Sequence, residues 1–298
     1  MDRRHFFTFA TAGALALSLD PLAAQTAKAA TSPKLPSEVS RVANVVTPVG
    51  RKLYDSIEVD IQGDRARIFL PQSVTMRSAT PVGAVWFYHG AGSDHNKAMS
   101  GGFKYAAELI VDQGAIAICQ NVGGTQFSNP FAQQVQKNGW AYLSSLFTVR
   151  QNFLRATSGG GNLAIWTQGK KLMPYIKGLY MVNANYDLEK MYYGSNANYS
   201  MAVGLAFNND PALIAANNPA RIGAWAYSGA NVKAVVSDAA HPDTTVPPVD
   251  HGIAFVNKIK SVAADATIAY HALGHDTPSW TNRDMVTVFS RWSQGLKA

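Results

Sequence analysis

With a single cysteine in 298 residues, Cys119, the chain can close no internal disulfide. That residue ends the apolar run 115–119, where a thiol is ordinarily a small buried hydrophobe rather than a reactive group. Charge is scarce: 15% of residues are charged against 47% hydrophobic, a balance that excludes a disordered chain and favours a packed body. Basic residues outnumber acidic ones, 26 to 19, for a formal net charge of +7. They are scattered, with no long basic block, so no nucleic-acid partner is expected; the excess biases encounters toward anionic surfaces. The chain has no His-Glu-x-x-His spacing, and His241, Asp243, His251 and Asp238 follow no standard ligand pattern, so no metal is expected. A Gly-Lys-Ser/Thr phosphate loop is missing too. So is an uninterrupted apolar run long enough to span a bilayer comfortably.

The first residues have the order of an export signal. Arg3-Arg4-His5-Phe6-Phe7 precedes an apolar run over 10–19, which Asp20-Pro21 interrupts, and Ala27-Lys28-Ala29 offers a small-x-small cleavage site. Two arginines followed by x-Phe resemble the bacterial twin-arginine signal, although Asp2 and Thr8 depart from its usual residues. Residues 1–29 are therefore expected to direct export and be removed. That implies a periplasmic or secreted bacterial protein with no stable membrane span after cleavage.

Residues 30–50, rich in Ser, Pro, Val and Thr, are expected to form an irregular lead-in, and 51–298 one domain. Alternation over 57–61, a Gln62-Gly63-Asp64 turn and a returning run over 66–70 predict a β-hairpin. The continuous apolar run 82–88 predicts a strand covered on both faces. Further strands are expected over 115–119, 152–157, 176–182, 232–236 and 266–272. Helices are expected over 98–112, 130–146, from 161, over 250–262 and over 278–294. Strands alternating with helices imply an α/β class, with a mostly parallel central sheet, helices on both faces and an antiparallel N-terminal hairpin. The stretch 186–220 breaks this rhythm. It holds Tyr186, Tyr192, Tyr193, Tyr199 and several asparagines, and reads as a lid-like insertion of two short helices over the site.

Chemistry-bearing residues fall where hydrophobic runs end. Ser158, in Ala156-Thr157-Ser158-Gly159-Gly160-Gly161, lies between a predicted strand and a predicted helix, with small neighbours that permit a tight turn. Ser228, Ser93 and Ser195 lack that context. His89-Gly90-Ala91-Gly92 follows a buried strand, where backbone N–H groups are available as fixed donors for developing negative charge. Gly90 or Ala91 would supply one donor and Gly159 the other, with His89 bracing the loop. Asp243, after the strand 232–236, is the candidate acid, with Asp238 its main rival and Asp187 more distant. His275, just beyond the last strand, is the candidate base. Ser93, Tyr186, Tyr192 and Tyr193 are candidates to line a substrate pocket.

Taken in order, His89-Gly90-Ala91-Gly92, Ser158-Gly159-Gly160, Asp243-Thr244-Thr245-Val246-Pro247 and Gly274-His275 resemble the α/β-hydrolase superfamily over roughly residues 52–297. Ala156 stands where the family pattern has its first glycine. The resemblance implies the α/β-hydrolase fold, with Ser158 as nucleophile, Asp243 as acid and His275 as base, and no cofactor. The expected activity is hydrolysis of a small-molecule or glycan ester through an acyl-serine. Peptidase, acyltransferase and non-catalytic binding roles on the same scaffold stay open, as does the oligomeric state.

Overall fold

The computed structural model describes residues 32–293. The expected export segment 1–29 lies outside the described residues. No helix among the described residues is long and apolar enough to cross a membrane.

Nine strands form one sheet in the order β1-β2-β3-β5-β4-β6-β7-β8-β9. They are β1 (Glu38–Val46), β2 (Leu53–Ile61), β3 (Asp64–Pro71), β4 (Val82–Tyr88), β5 (Ile116–Gln120), β6 (Val149–Thr157), β7 (Ile176–Val182), β8 (Asn231–Ser237) and β9 (Asp265–His271). β1, β2 and β3 run antiparallel in turn and β3 meets β5 antiparallel; every pairing from β5 through β4 to β9 is parallel. The expected hairpin is present, with Ile61 opposite Asp64 across its turn. All seven residues of β4 are buried, as a strand covered on both faces requires.

Helices α1 (Gly101–Asp112) and α8 (Thr281–Ser293) cover one face, and α2 (Pro130–Leu146), α3 (Gly160–Lys170) and α7 (Gly252–Ile259) the other. The first core joins Phe103 and Ile110 of α1 to Val288 and Phe289 of α8 through Phe87 and Phe153 of the sheet. The second joins Leu143, Leu163 and Phe255 to Trp86, Leu154 and Met181.

Two expectations need correction. Residues 30–50 are not all irregular, because β1 pairs with β2 from Glu38 opposite Val59 to Val46 opposite Leu53. It is an edge strand whose residues are exposed or only half-buried, so it lacks the apolar signature of an inner strand. Register shifts within it, with Asn44 at φ +58°, break its alternation further. Arg41 ties it to β2 through a salt bridge to the buried Asp55.

The insertion 186–220 carries three α-helices rather than two: α4 (Leu188–Tyr192), α5 (Ala197–Ala206) and α6 (Pro211–Ala216). The side chains of Asp187, Asn196 and Asp210 accept N–H groups at the three helix starts. The Asn and Asp content that reads as irregular in the sequence is thus helix capping. Leu188, Met191, Val203, Phe207 and Ile214 give this cap a small core of its own, shared with Phe127.

Candidate active site

Because β4, β6, β8 and β9 run parallel, their C-terminal ends lie along one edge of the sheet, where open α/β sheets place their sites. The loop 89–92 follows β4, Ser158 follows β6, Asp243 lies beyond β8 and His275 beyond β9.

Ser158 sits between β6 and α3 at φ +48°, a left-handed conformation that a side-chain-bearing residue holds only when its surroundings impose it. The glycines after it permit this turn. A Cβ on Gly160 would lie 2.4 Å from Tyr88 O, and one on Gly161 would lie 2.4 Å from Asn185 O. Ala156, at the position of the usual first glycine, is accommodated with its methyl fully buried. Beneath the turn, the buried Arg155 guanidinium lies over the Phe103 ring at 5.3 Å and the Tyr180 ring at 5.5 Å. It donates to Ala156 O and, at 2.8 Å, to Thr157 Oγ1, which stiffens the strand end leading into Ser158. Burial pulls its pKa down to about 10.

Ser158 Oγ lies 3.0 Å from His275 Nε2, and His275 Nδ1 lies 2.7 Å from Asp243 Oδ2. The other oxygen of Asp243 accepts the N–H groups of Thr245 and Val246, both at 2.8 Å, so the carboxylate is aimed from behind. A line of this kind can pass the serine proton to the imidazole while the carboxylate holds the ring's orientation. Asp238, the rival acid, instead pairs with His241 at 2.9 Å on the surface. Asp187 caps α4.

The structural comparisons agree with this architecture. No family model matches the chain, and no curated protein matches it. Among solved structures, an S-formylglutathione hydrolase from Agrobacterium tumefaciens superposes with a TM-score of 0.61 at 12% identity, over 87% of this chain and 99% of that one. A truncated carbohydrate esterase from gut microbiota gives a TM-score of 0.58 at 15% identity, over 88% and 99%. A bifunctional GH43-CE protein of Bacteroides eggerthii gives 0.59 at 14% identity over 85% of this chain, which spans only 38% of that one. This is the α/β-hydrolase fold. Its Ser-His-Asp geometry supports a serine hydrolase.

Within this fold the loop after β4 is braced from the side. His89 bridges Gly90 O at 2.9 Å and Asn121 O at 3.0 Å, and Gly92 N donates to Thr125 Oγ1 at 2.8 Å. The loop's Ala91 N would be 2.9 Å from a Cβ on Gly159, so the Ala91 and Gly159 amides are close neighbours. Beside them lies a small pocket lined by Gly90, Ala91, Thr125, Phe127, Gly159 and Leu163. The segment 122–127 that closes it was not singled out in the sequence; the Gly123-Gly124 pair after a strand, both at positive φ, is the available signal.

Of the expected pocket residues, Ser93 closes a turn by donating to Gly90 O. Tyr186 is core, its ring 5.1 Å from that of Phe255. The rings of Tyr192 and Tyr193 pack edge to face at 4.9 Å, with Tyr193 66% exposed. The insertion tyrosine that meets Ser158 is Tyr199, whose hydroxyl is 2.9 Å from Oγ.

Two histidines outside the line support it. His271 Nε2 meets Asn183 Oδ1 at 3.0 Å, and the Asn183 amide donates to Gly274 O at 3.2 Å and Asp276 O at 3.0 Å, the two residues flanking His275. Burial lowers the pKa of His271, and that of the more deeply buried His251 to about 4. His251 Nδ1 accepts the N–H groups of Tyr186 and Asp187, both at 3.2 Å, where the chain enters the cap.

Proposed function

We propose that this protein is an exported serine esterase that cleaves a carboxylic ester through an acyl-serine. The observation that carries the reading is the unbroken line from Ser158 Oγ through His275 to Asp243, at 3.0 and 2.7 Å. Ser158 attacks the ester carbonyl as His275 Nε2 takes its proton. His275 then gives that proton to the departing alcohol, and water activated by the same ring releases the acid. Asp243 orients the ring and stabilises its charged form.

The carbonyl oxygen takes its negative charge against the N–H groups of Ala91 and Gly159, with Gly90 shaping the loop. Among the described residues, neither of those N–H groups is spent on a protein acceptor. The small pocket beside them takes the acyl group and favours a short chain. Similarity to a carbohydrate esterase and to an S-formylglutathione hydrolase supports a small-molecule or glycan ester. The Arg3-Arg4 segment and the apolar run after it support a periplasmic or extracellular place of action.

The test is labelling of the folded protein with a fluorophosphonate. Wild type should label, and Ser158→Ala and His275→Ala should not. Absence of labelling in wild type would overturn the reading, as would labelling that survives in Ser158→Ala.

A further inference from the structure

The protons around Ser158 can be counted. Asp243 Oδ2 accepts from His275 Nδ1, which leaves Nε2 as an acceptor for the Ser158 proton. Oγ has then spent its only hydrogen, so the 2.9 Å contact with Tyr199 requires the phenol to donate to Oγ. The phenol is suited to keep its proton, because burial raises its pKa. Its place is built. Tyr199 lies in the first turn of α5, its own N–H held by the Asn196 cap, and Ser200 Oγ ties that turn to Tyr192 O at 2.6 Å. The fully buried Asn185 side chain adjoins the phenol.

Resting on the acyl-serine reading, we infer that Tyr199 is a further catalytic residue, a donor from the cap that assists departure of Ser158 Oγ in the deacylation half-reaction. The two halves differ in their starting states. Free enzyme already has the Tyr199–Oγ hydrogen bond, so little is gained as Oγ attacks. In the acyl-enzyme Oγ is an ester oxygen, a poor acceptor. Water, losing its proton to His275, has by then added to the acyl carbon. As the C–Oγ bond breaks, the electron pair returns to Oγ, the proton returns from His275 Nε2, and the phenol donates to an oxygen carrying developing charge. Only an interaction stronger in the transition state than in the state before it accelerates a step, and here that step is the second.

Tyr199→Phe removes the donor and keeps the ring. With p-nitrophenyl acetate, stopped-flow release of p-nitrophenol reads acylation, and decay of the acetyl-enzyme by intact mass reads deacylation. The expected result is acylation within about twofold of wild type and deacylation slowed about tenfold or more, with acetyl-enzyme accumulating, as loss of a hydrogen bond to a charged group implies. Equal losses in both steps would mean a structural role and overturn the inference, and so would two unchanged steps. Neither result touches the serine-hydrolase reading, which stands or falls on fluorophosphonate labelling in wild type and Ser158→Ala. If wild type neither labels nor forms an acetyl-enzyme, both ideas are overturned.

Discussion

At the scale of single residues, His275 depends on a neighbour that is not itself in the line. Its loop is held by Asn183, which stands at φ +44°, a conformation that Asn and Asp tolerate better than most residues. Asn183→Asp keeps that tolerance but sets a carboxylate against the carbonyls of Gly274 and Asp276. The expected result is a fall in kcat of about tenfold to a hundredfold, as for a catalytic group displaced by a fraction of an ångström, with little change in KM. Initial rates on an ester substrate would show it. Unchanged kcat would mean that the loop holds without Asn183. Ser158, Asp243 and His275 were legible in the sequence because each follows a recognisable strand in an informative order. Tyr199 was visible only as one of several tyrosines in an irregular stretch. Which of them reaches the serine depends on how the cap folds back, and no local spacing encodes that.

At the scale of elements, the strand–turn–helix around Ser158 has no room to give. The atoms closest to a Cβ on Gly160 are the Tyr88 and His89 carbonyl oxygens, at 2.4 and 2.6 Å, and these are backbone rather than flexible side chain. Gly160→Ala should therefore destabilise the protein by about 1–3 kcal/mol and lower fluorophosphonate labelling. A urea midpoint equal to that of wild type would count against this packing. The inner strands were legible because burial on both faces demands continuous apolar runs. β1 was not, because an edge strand with bulges has no such demand on it. The cap helices were obscured by their own caps, since Asn and Asp serve helix starts and loops alike.

At the scale of the whole molecule, acid should loosen the fold where body and cap join. His251 is 3% exposed, and its pKa is lowered to about 4 in the folded state, against about 6.5 in an unfolded chain. Between these values the unfolded chain binds a proton that the folded one excludes. The contribution is therefore complete above about pH 6.5 and is lost as pH falls toward 4, up to on the order of 3 kcal/mol. His251→Gln should flatten the acid limb of Tm against pH between 6.5 and 4. An acid limb as steep as that of wild type would assign the sensitivity to other groups. The overall architecture was readable from the alternation of strands and helices. The closing of the cavity by the segment after β5, and the seating of the cap through His251, were not, because both arise from contacts between distant parts of the chain.

The hydrogen-bonded line has a consequence for timing. Ser158 and His275 are 117 residues apart, and Asp243 and His275 are 32 apart. A ribosome that has released the serine, its turn and the cap has still not made the histidine that completes the line. His275 lies beyond β9, the last strand in the chain, which pairs with β8 at the sheet edge. A chain cut short before β9 therefore lacks the imidazole that Ser158 Oγ meets, and the line cannot form in it.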